Sequence, residues 1–465
     1  MTRGPLGAGQ PRYHQDMLRP WTMRLVGWTA CAWLGCAPIE PSAELLDATR
    51  DLRAGLPVFP FAEGFGTTTP AGRGGQILRV THLEADGPGS LRAALSTPGA
   101  RMVVFEVAGQ IAIREPLVIA EPYVTVAGQT APSPGITIYG ASIVVATHDV
   151  LLQHLRVRAG DALEGPDPGG RDSLTLDGGE GGRNDVHDVV IDHGSFSWAI
   201  DEGVSTWNPG VRDITVRASI ISENLSHSLH PKGEHSKGLL IGDHSKRVSV
   251  IGCLFAHNRL RNPILKGDVS AILANNVLYN PGAEAIHLDD PDGSGPTLAT
   301  VIGNVLVPGP DTNVFVPLVD ALLDVQSTSV IALSDNFTGA RLLTRSLRTP
   351  GIFRHPSTEQ YPQAQVRVLP LSIVPADQAL DAVLRTVGAR PADRDGVDAR
   401  VVAQVRERGG AIIDSPSQVG GLPRALPVTR TLHPPDQPES DDNGDGYTRA
   451  EEWLHQLARA VEDPS

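Results

Sequence analysis

The chain has 465 residues, of which 49 are glycine and 38 proline, with only 5% aromatic residues and a formal net charge of −14. That length could hold two or three ordinary domains, but abundant turn-formers beside frequent Val, Ile and Leu favour many short strands over long helices, so a repeat fold is sought first. The acidic balance excludes nonspecific binding to nucleic acid, which needs a basic face, and the three cysteines cannot make a four-cysteine zinc site.

Within residues 1–40, the stretch from Met23 to Cys36 has a basic start, an apolar run of signal-peptide length and small residues at its end, and it reads as an export signal. Met17 or Met23 would give such a signal a more usual start. Leu34-Gly35-Cys36 also resembles a lipoprotein cleavage site, which would place a lipid anchor on Cys36. A secreted or cell-envelope location is therefore expected. With Cys31 and Cys36 in this stretch, Cys253 alone remains in the body of the chain, so no intrachain disulfide is expected there.

Ser90 followed by Leu-Arg-Ala-Ala-Leu reads as an N-cap and a short helix closing one end of a solenoid. From about residue 75 to 340 a short apolar motif then recurs: VVFEV at 103, VTVAG at 124 and ITIYG at 136 lead into whole turns, VLLQHLRV at 150, VVIDHGSF at 189, ITVRASII at 214, VSVIGCLF at 248, AILANNVLY at 271, TVIGNVLV at 300 and VIALSDNF at 330. Intervals of 23 to 39 residues between these turns, the longer ones filled by polar insertions, are those of stacked coils. Near-continuous aliphatic runs suit parallel strands, and segments such as DGGEGGRND or DDPDGSGP cannot form the amphipathic helix that a βαβ unit requires. The expected fold is all-β, a right-handed single-stranded parallel β-helix over 60–360. Asn258, Asn275 and Asn276 fall near turns, where asparagine tolerates a left-handed backbone and can ladder between coils. Residues 365–430 carry two stretches of helical spacing and are expected to form a C-terminal extension packed on the solenoid. The protein is expected to be a monomer.

Polar residues concentrate between 160 and 267, and there the sequence resembles the pectate lyase family in five ordered segments: Asp172-Ser-Leu-Thr-Leu176, Val189-Val-Ile-Asp192-His193 with Ser195-Phe-Ser-Trp198, Asp201-Glu202, Glu234-His-Ser-Lys237-Gly238, and His257-Asn-Arg-Leu-Arg261-Asn-Pro263-Ile-Leu-Lys266-Gly267. The resemblance covers roughly residues 60 to 340 and implies the pectin-lyase-like solenoid, Ca²⁺ as cofactor and an acidic polysaccharide, pectate (polygalacturonate) or a related uronan, as substrate. In β-elimination a base removes the proton at C5 beside the uronate carboxylate and the glycosidic oxygen at C4 leaves, so cationic side chains and a bound cation must stabilise the charge that spreads onto the carboxylate. Calcium takes several oxygen ligands. The resemblance implies Asp172 and Glu202 as calcium ligands, with Asp201 a substitute or neighbour. It also implies Arg261 as base, with Lys237 and Lys266 holding substrate carboxylates. The residue four after Glu202 would be aspartate in the family and is Thr206 here, and Lys266 stands where the family has arginine, losing bidentate binding. A guanidinium stays protonated in ordinary surroundings, so an arginine base implies alkaline activity in a cationic cleft.

Trp198 and Trp207 read equally as sugar-stacking platforms or as packing residues, and Trp198 is taken as substrate-binding. His193, in mid-strand, reads as structural. His227, His230, His235 and His244 lack the spacing of a helical zinc motif. At the far end, Asp441, Asn443, Asp445, Gly446 and Glu452 match positions one, three, five, six and twelve of an EF-hand loop, with Tyr447 at position seven, and the residues from Glu451 supply the following helix. No full helix can precede it in the proline-rich stretch, so 441–457 is expected to be a single calcium loop, dockerin-like in pattern. Two other function classes fit a solenoid: a polysaccharide hydrolase with paired carboxylates, and a noncatalytic polysaccharide-binding adhesin.

Overall fold

The computed structural model describes residues 55–322, 324–326, 328–338, 352–354, 371–424 and 426–463. The expected export signal with Cys31 and Cys36 lies outside the described residues, as does the first part of the expected extension. All described residues belong to one unit, Pro41–Ser465.

Short strands wind into three sheets of ten, nine and ten strands, and in each sheet the strand order skips regularly along the chain, so every coil gives one strand to each face. The first ten-stranded sheet runs from Gln76–Val80 to Val330–Ser334, and the nine-stranded sheet from Leu117–Ile119 to Phe353–Arg354. The third holds Val107–Ala112 through Phe337–Thr338 and an added strand, Val428–Thr429. Every pairing is parallel except Val428–Thr429 against Val107 and Ala108. This is a parallel β-helix.

Register explains why the aliphatic runs recur. Val124, Val150, Val189, Ile214, Val248, Ala271, Ala299 and Ile331 are successive partners across the first sheet, and all are buried. Each fully buried Val, Leu or Ile contributes roughly 1.5–3 kcal/mol, and no disulfide assists among the described residues. Cys253 is a buried free thiol whose burial pushes its pKa up to about 12.

Turns are held by the asparagines. Asn304 Oδ1 accepts from the Asn276 backbone N–H at 3.0 Å, and Asn336 Oδ1 accepts from the Asn304 N–H at 2.9 Å. At a second corner Asn224 Oδ1 accepts from Ala199 N–H and Asn258 Oδ1 from Asn224 N–H, each at 3.1 Å. Such stacked amides satisfy backbone groups that leave the sheets at the corners.

Helix α1, Leu91–Leu95, is capped by Ser90, whose hydroxyl accepts from Ala93 N–H, and its apolar side closes the first coil. Helices α2, Ala376–Thr386, and α3, Gly396–Glu407, cover the third sheet: Ala379, Val383, Val401 and Val405 pack on Ile220, Leu254, Val277 and Val305. Asp395 caps α3 and meets Arg158 at 2.6 Å, while Asp398 meets Arg158 at 3.0 Å and Arg156 at 3.2 Å. Helix α4, Arg449–Glu462, lays Ala450 and Leu454 on Met102, Val104 and Ala127 of the first coils.

Candidate active site

The nine-stranded sheet brings the polar segments together. Leu174–Asp177, Glu202–Trp207, Lys237–Ile241 and Ile264–Leu265 are neighbouring strands, with Glu202 in register with Lys237 and Lys237 bridged to Leu260. Residues at the same end of successive strands therefore stack on one face. Asp172 stands just before its strand, and its Oδ1 accepts the Glu202 backbone N–H at 2.9 Å.

Carboxylate oxygens of Asp172, Asp201 and Glu202 lie within 4.8 Å of one another. Asp172 Oδ2 also accepts from the hydroxyls of Thr175, at 2.9 Å, and Ser205. Lys237 Nζ sits 2.7 Å from Asp201 Oδ1 and 3.2 Å from Glu202 Oε1, and Arg261 Nη1 donates to Glu202 Oε1. The electrostatics follow from burial and crowding. Burial, then the neighbouring Glu202, lifts the Asp172 carboxyl well above the usual range, and burial, then Asp201, raises Glu202. Asp201 is also penalised by burial, but the Lys237 ammonium outweighs that and holds it below the usual range. Two buried carboxyls that resist ionisation, in a nest of oxygen donors, fit a hard cation with high coordination number. Asp172, Asp201, Glu202 and the Ser205 hydroxyl are the residues that could hold it.

Several sequence-derived roles change. Thr206, taken as the vacant ligand position, is buried and turned away: its hydroxyl bonds Ser245 Oγ at 2.8 Å and accepts from Gly242 N–H at 2.9 Å. Ser205, one residue earlier and four after Asp201, faces the cluster instead, and sequence reading missed it. The expectation that Trp198 binds sugar is corrected: it is 2% exposed, lies under the Arg158 guanidinium at 5.4 Å and donates its ring N–H to Glu223 Oε2 at 3.1 Å, so no ring face is open to a ligand. Trp207, at the end of the Glu202 strand, is 55% exposed. Lys266 does not join the carboxylate cluster; its Nζ pairs with Asp289 at 3.1 Å. His230 and His235, to which sequence gave no role, stack with ring centroids 3.3 Å apart beside Asp201, their Nε2 atoms 3.8 and 3.4 Å from its oxygens. Burial, then Lys237, takes His235 down to about 4, so that wall of the site is a neutral imidazole.

The C-terminal loop turns its side chains inward. Asp441 accepts N–H bonds from Gly444 at 2.8 Å and Gly446 at 2.9 Å, Asn443 Oδ1 accepts from Asp445 N–H and Asp445 Oδ1 from Tyr447 N–H, each at 2.9 Å. The Asn443 amide donates to Glu452 Oε1 at 2.7 Å, drawing the twelfth position onto the loop. No helix precedes the loop in the stretch 430–440, and α4 follows it, capped by Thr448 with Glu451 in a capping box.

A parallel β-helix that stacks three carboxylates, a lysine and an arginine on one sheet face has the build of a polysaccharide lyase. Relatives narrow the class. The chain is 33% identical over 426 residues to the probable pectate lyase C of Aspergillus flavus, covering 86% of this chain and 94% of that protein. It is 31% identical over 456 residues to the probable pectate lyase C of Aspergillus fumigatus, covering 90% and 98%. This chain belongs to the pectate lyase family. No protein-family model matches it. Among solved structures, the cedar-pollen allergen jun a 1 superposes with a TM-score of 0.50 at 17% identity, over 69% of this chain and 91% of that one, a likeness of fold alone.

Proposed function

We propose that the protein cleaves polygalacturonate or a related uronan by β-elimination, with Asp172, Asp201, Glu202 and the Ser205 hydroxyl as the calcium-holding set. The observation that carries this reading is the convergence of three carboxylates within 4.8 Å, two of them hindered from ionising, beside Lys237 and Arg261. When bound, Ca²⁺ supplies positive charge to the substrate carboxylate while negative charge builds beside it. Arg261 in its neutral form takes the C5 proton, the electron pair becomes the C4–C5 double bond, and the C4–O bond breaks with its electrons going to the glycosidic oxygen, which is protonated by solvent while the guanidinium returns its proton to solvent. Lys237 donates to the uronate carboxylate, neutralising it without changing its position. Lys266 and the exposed Trp207 extend this face as substrate contacts, one by charge and one by stacking. The basic start and apolar run of 23–36 support action outside the cytoplasm, with Cys36 as the anchor point for lipid.

The deciding assay supplies polygalacturonate with Ca²⁺ and follows the unsaturated product in the ultraviolet. Elimination gives absorbance matched by new reducing ends. Reducing ends without absorbance would establish hydrolysis, and polysaccharide binding without either would establish a noncatalytic solenoid.

A second calcium site is proposed at Asp441, Asn443, Asp445, the Tyr447 carbonyl and Glu452. The inward-turned hydrogen bonds of Asp441, Asn443 and Asp445 support it, as does the position of the loop at the start of α4. Its role is to order the tail.

A further inference from the structure

Away from the nine-stranded sheet, at the corner between the other two, a second cluster of ligating side chains has no part in the lyase chemistry. Gln153 and Asp192 are partners across the first sheet, so the next residues, His154 and His193, stack one coil above the other with ring centroids 5.2 Å apart and planes 13° from parallel. Glu462, in the last turn of α4, reaches over both.

His154 is 0% exposed. Its Nδ1 lies 2.7 Å from the Ala389 carbonyl, which can only accept, so Nδ1 carries a proton and Nε2 is the atom free to ligate. That Nε2 is buried with no hydrogen-bond partner, although Glu462 Oε1 is 3.2 Å away. A neutral His154 would set two acceptor atoms face to face here, an arrangement that a cation between them relieves. His193 Nδ1 is 2.9 Å from Asp192 Oδ1 and 3.7 Å from Glu462 Oε1, and all four residues offer donor atoms within 4.8 Å of one another.

We propose that His154, His193, Asp192 and Glu462 hold a divalent transition-metal ion of the Zn²⁺ kind, which fastens the C-terminal helix α4 to the solenoid. Tetrahedral ligands at Zn²⁺ distances stand about 3.3 Å apart; three of the six separations here are 2.9, 3.2 and 3.7 Å, the first a hydrogen bond between His193 and Asp192 that the ion would replace, and the others lie within 4.8 Å. Two imidazoles with two carboxylates suit a first-row ion rather than calcium, which takes six to eight oxygens. The outer shell is already in place: Ala389 O fixes the His154 tautomer, Gln153 Nε2 donates to Asp192 Oδ2 at 2.9 Å, and Arg217 Nη1 donates to Asp192 Oδ1 at 2.8 Å. Arg217 offsets one of the two carboxylates, and the remaining negative charge still favours a dication. A cavity of about 220 Å³ lined by Phe61, Gln153, Arg217, Arg459 and Glu462 lies beside the cluster and shares Glu462 with it. The calcium loop at one end of α4 and this site at the other would pin the helix twice.

The test uses full-length protein stripped of metal with chelator, then saturated with Ca²⁺ and titrated with Zn²⁺ by calorimetry and with Co²⁺ by visible absorption. The expected result is one ion per chain at this site, with the visible bands of tetrahedral cobalt, and a loss of affinity greater than about tenfold in both Glu462→Gln and His154→Gln. Glu462 is partly exposed at a helix end, so Glu462→Gln remains decisive if His154→Gln fails to fold. No Zn²⁺ binding, or binding unchanged in the folded Glu462→Gln protein, would overturn the proposal; the first of these with a Tm that falls as pH rises would assign the cluster to a shared proton instead.

Discussion

Arg261 and Lys237 both reach Glu202, yet they face different demands in the reaction. In the proposed elimination Arg261 must exchange a proton, whereas Lys237 need only remain charged. Arg261→Lys is accordingly expected to lower kcat by about 10³-fold or more while leaving polysaccharide affinity within a few-fold, read by initial rates and by binding at equilibrium; an unchanged kcat would remove Arg261 from its role as base. Ser205→Ala keeps the carboxylates and deletes one oxygen donor, so it is expected to raise the Ca²⁺ concentration for half-maximal activity several-fold with little effect on kcat at saturation. That Asp172, Glu202, Lys237 and Arg261 come together was legible in the sequence because each sits in a segment whose order is distinctive. Ser205 was not, because successive strand residues face opposite sides and a shift of one residue exchanges cleft for core. Trp198 was misread for a related reason: it stands at a corner with a φ of 62°, where alternation along a strand no longer tells which way a side chain points.

Elements of the fold differ in how they are tied. Strands are held by aliphatic columns and amide ladders, whereas α3 adds charge to its apolar contacts with the third sheet: Arg156 and Arg158 are buried against Asp395 and Asp398. Removing one partner of a buried pair leaves the other charge uncompensated, so Arg158→Ala is expected to cost about 3–5 kcal/mol in urea unfolding. Its specific activity, measured on the fraction still folded, should stay close to that of the unaltered protein. For the C-terminal loop, Asp445→Ala should remove one Ca²⁺ per chain by calorimetry without changing kcat at saturating calcium; a fall in kcat would show that the loop and the cleft are coupled. The aliphatic repeats and the helical spacing near the C-terminus made the coils, α2 and α3 readable. Val428–Thr429 was not, since a strand of two exposed residues carries no periodicity and exists only because Val107 and Ala108 offer an open edge.

If the carboxylate cluster holds calcium as proposed, proton and calcium compete for the same carboxyls. Asp172 and Glu202 have raised pKa values in the folded state, so their contribution to stability is full in acid and is lost as pH rises through those values. Asp201, held low by Lys237 against the penalty of burial, works in the opposite sense and only at lower pH. A cation that neutralises the cluster removes the alkaline loss. The rise in Tm on adding Ca²⁺ is therefore expected to be larger in mildly alkaline than in mildly acidic solution, and a rise independent of pH would place calcium elsewhere. With Arg261 as the proposed base, activity is expected to rise over the same alkaline range.

Val428–Thr429 pairs with the strand at Val107, and α4 covers Met102 and Val104. The first coil is thus finished by the last residues of the chain. During synthesis the solenoid can stack from its N-terminal end, but that end keeps an open sheet edge and a bare apolar patch until the tail arrives. A chain truncated before residue 428 would lose little of the cleft and yet emerge with a surface suited to pairing with another copy of itself. Clipping of the tail is expected to appear first as aggregation, with catalysis the later casualty.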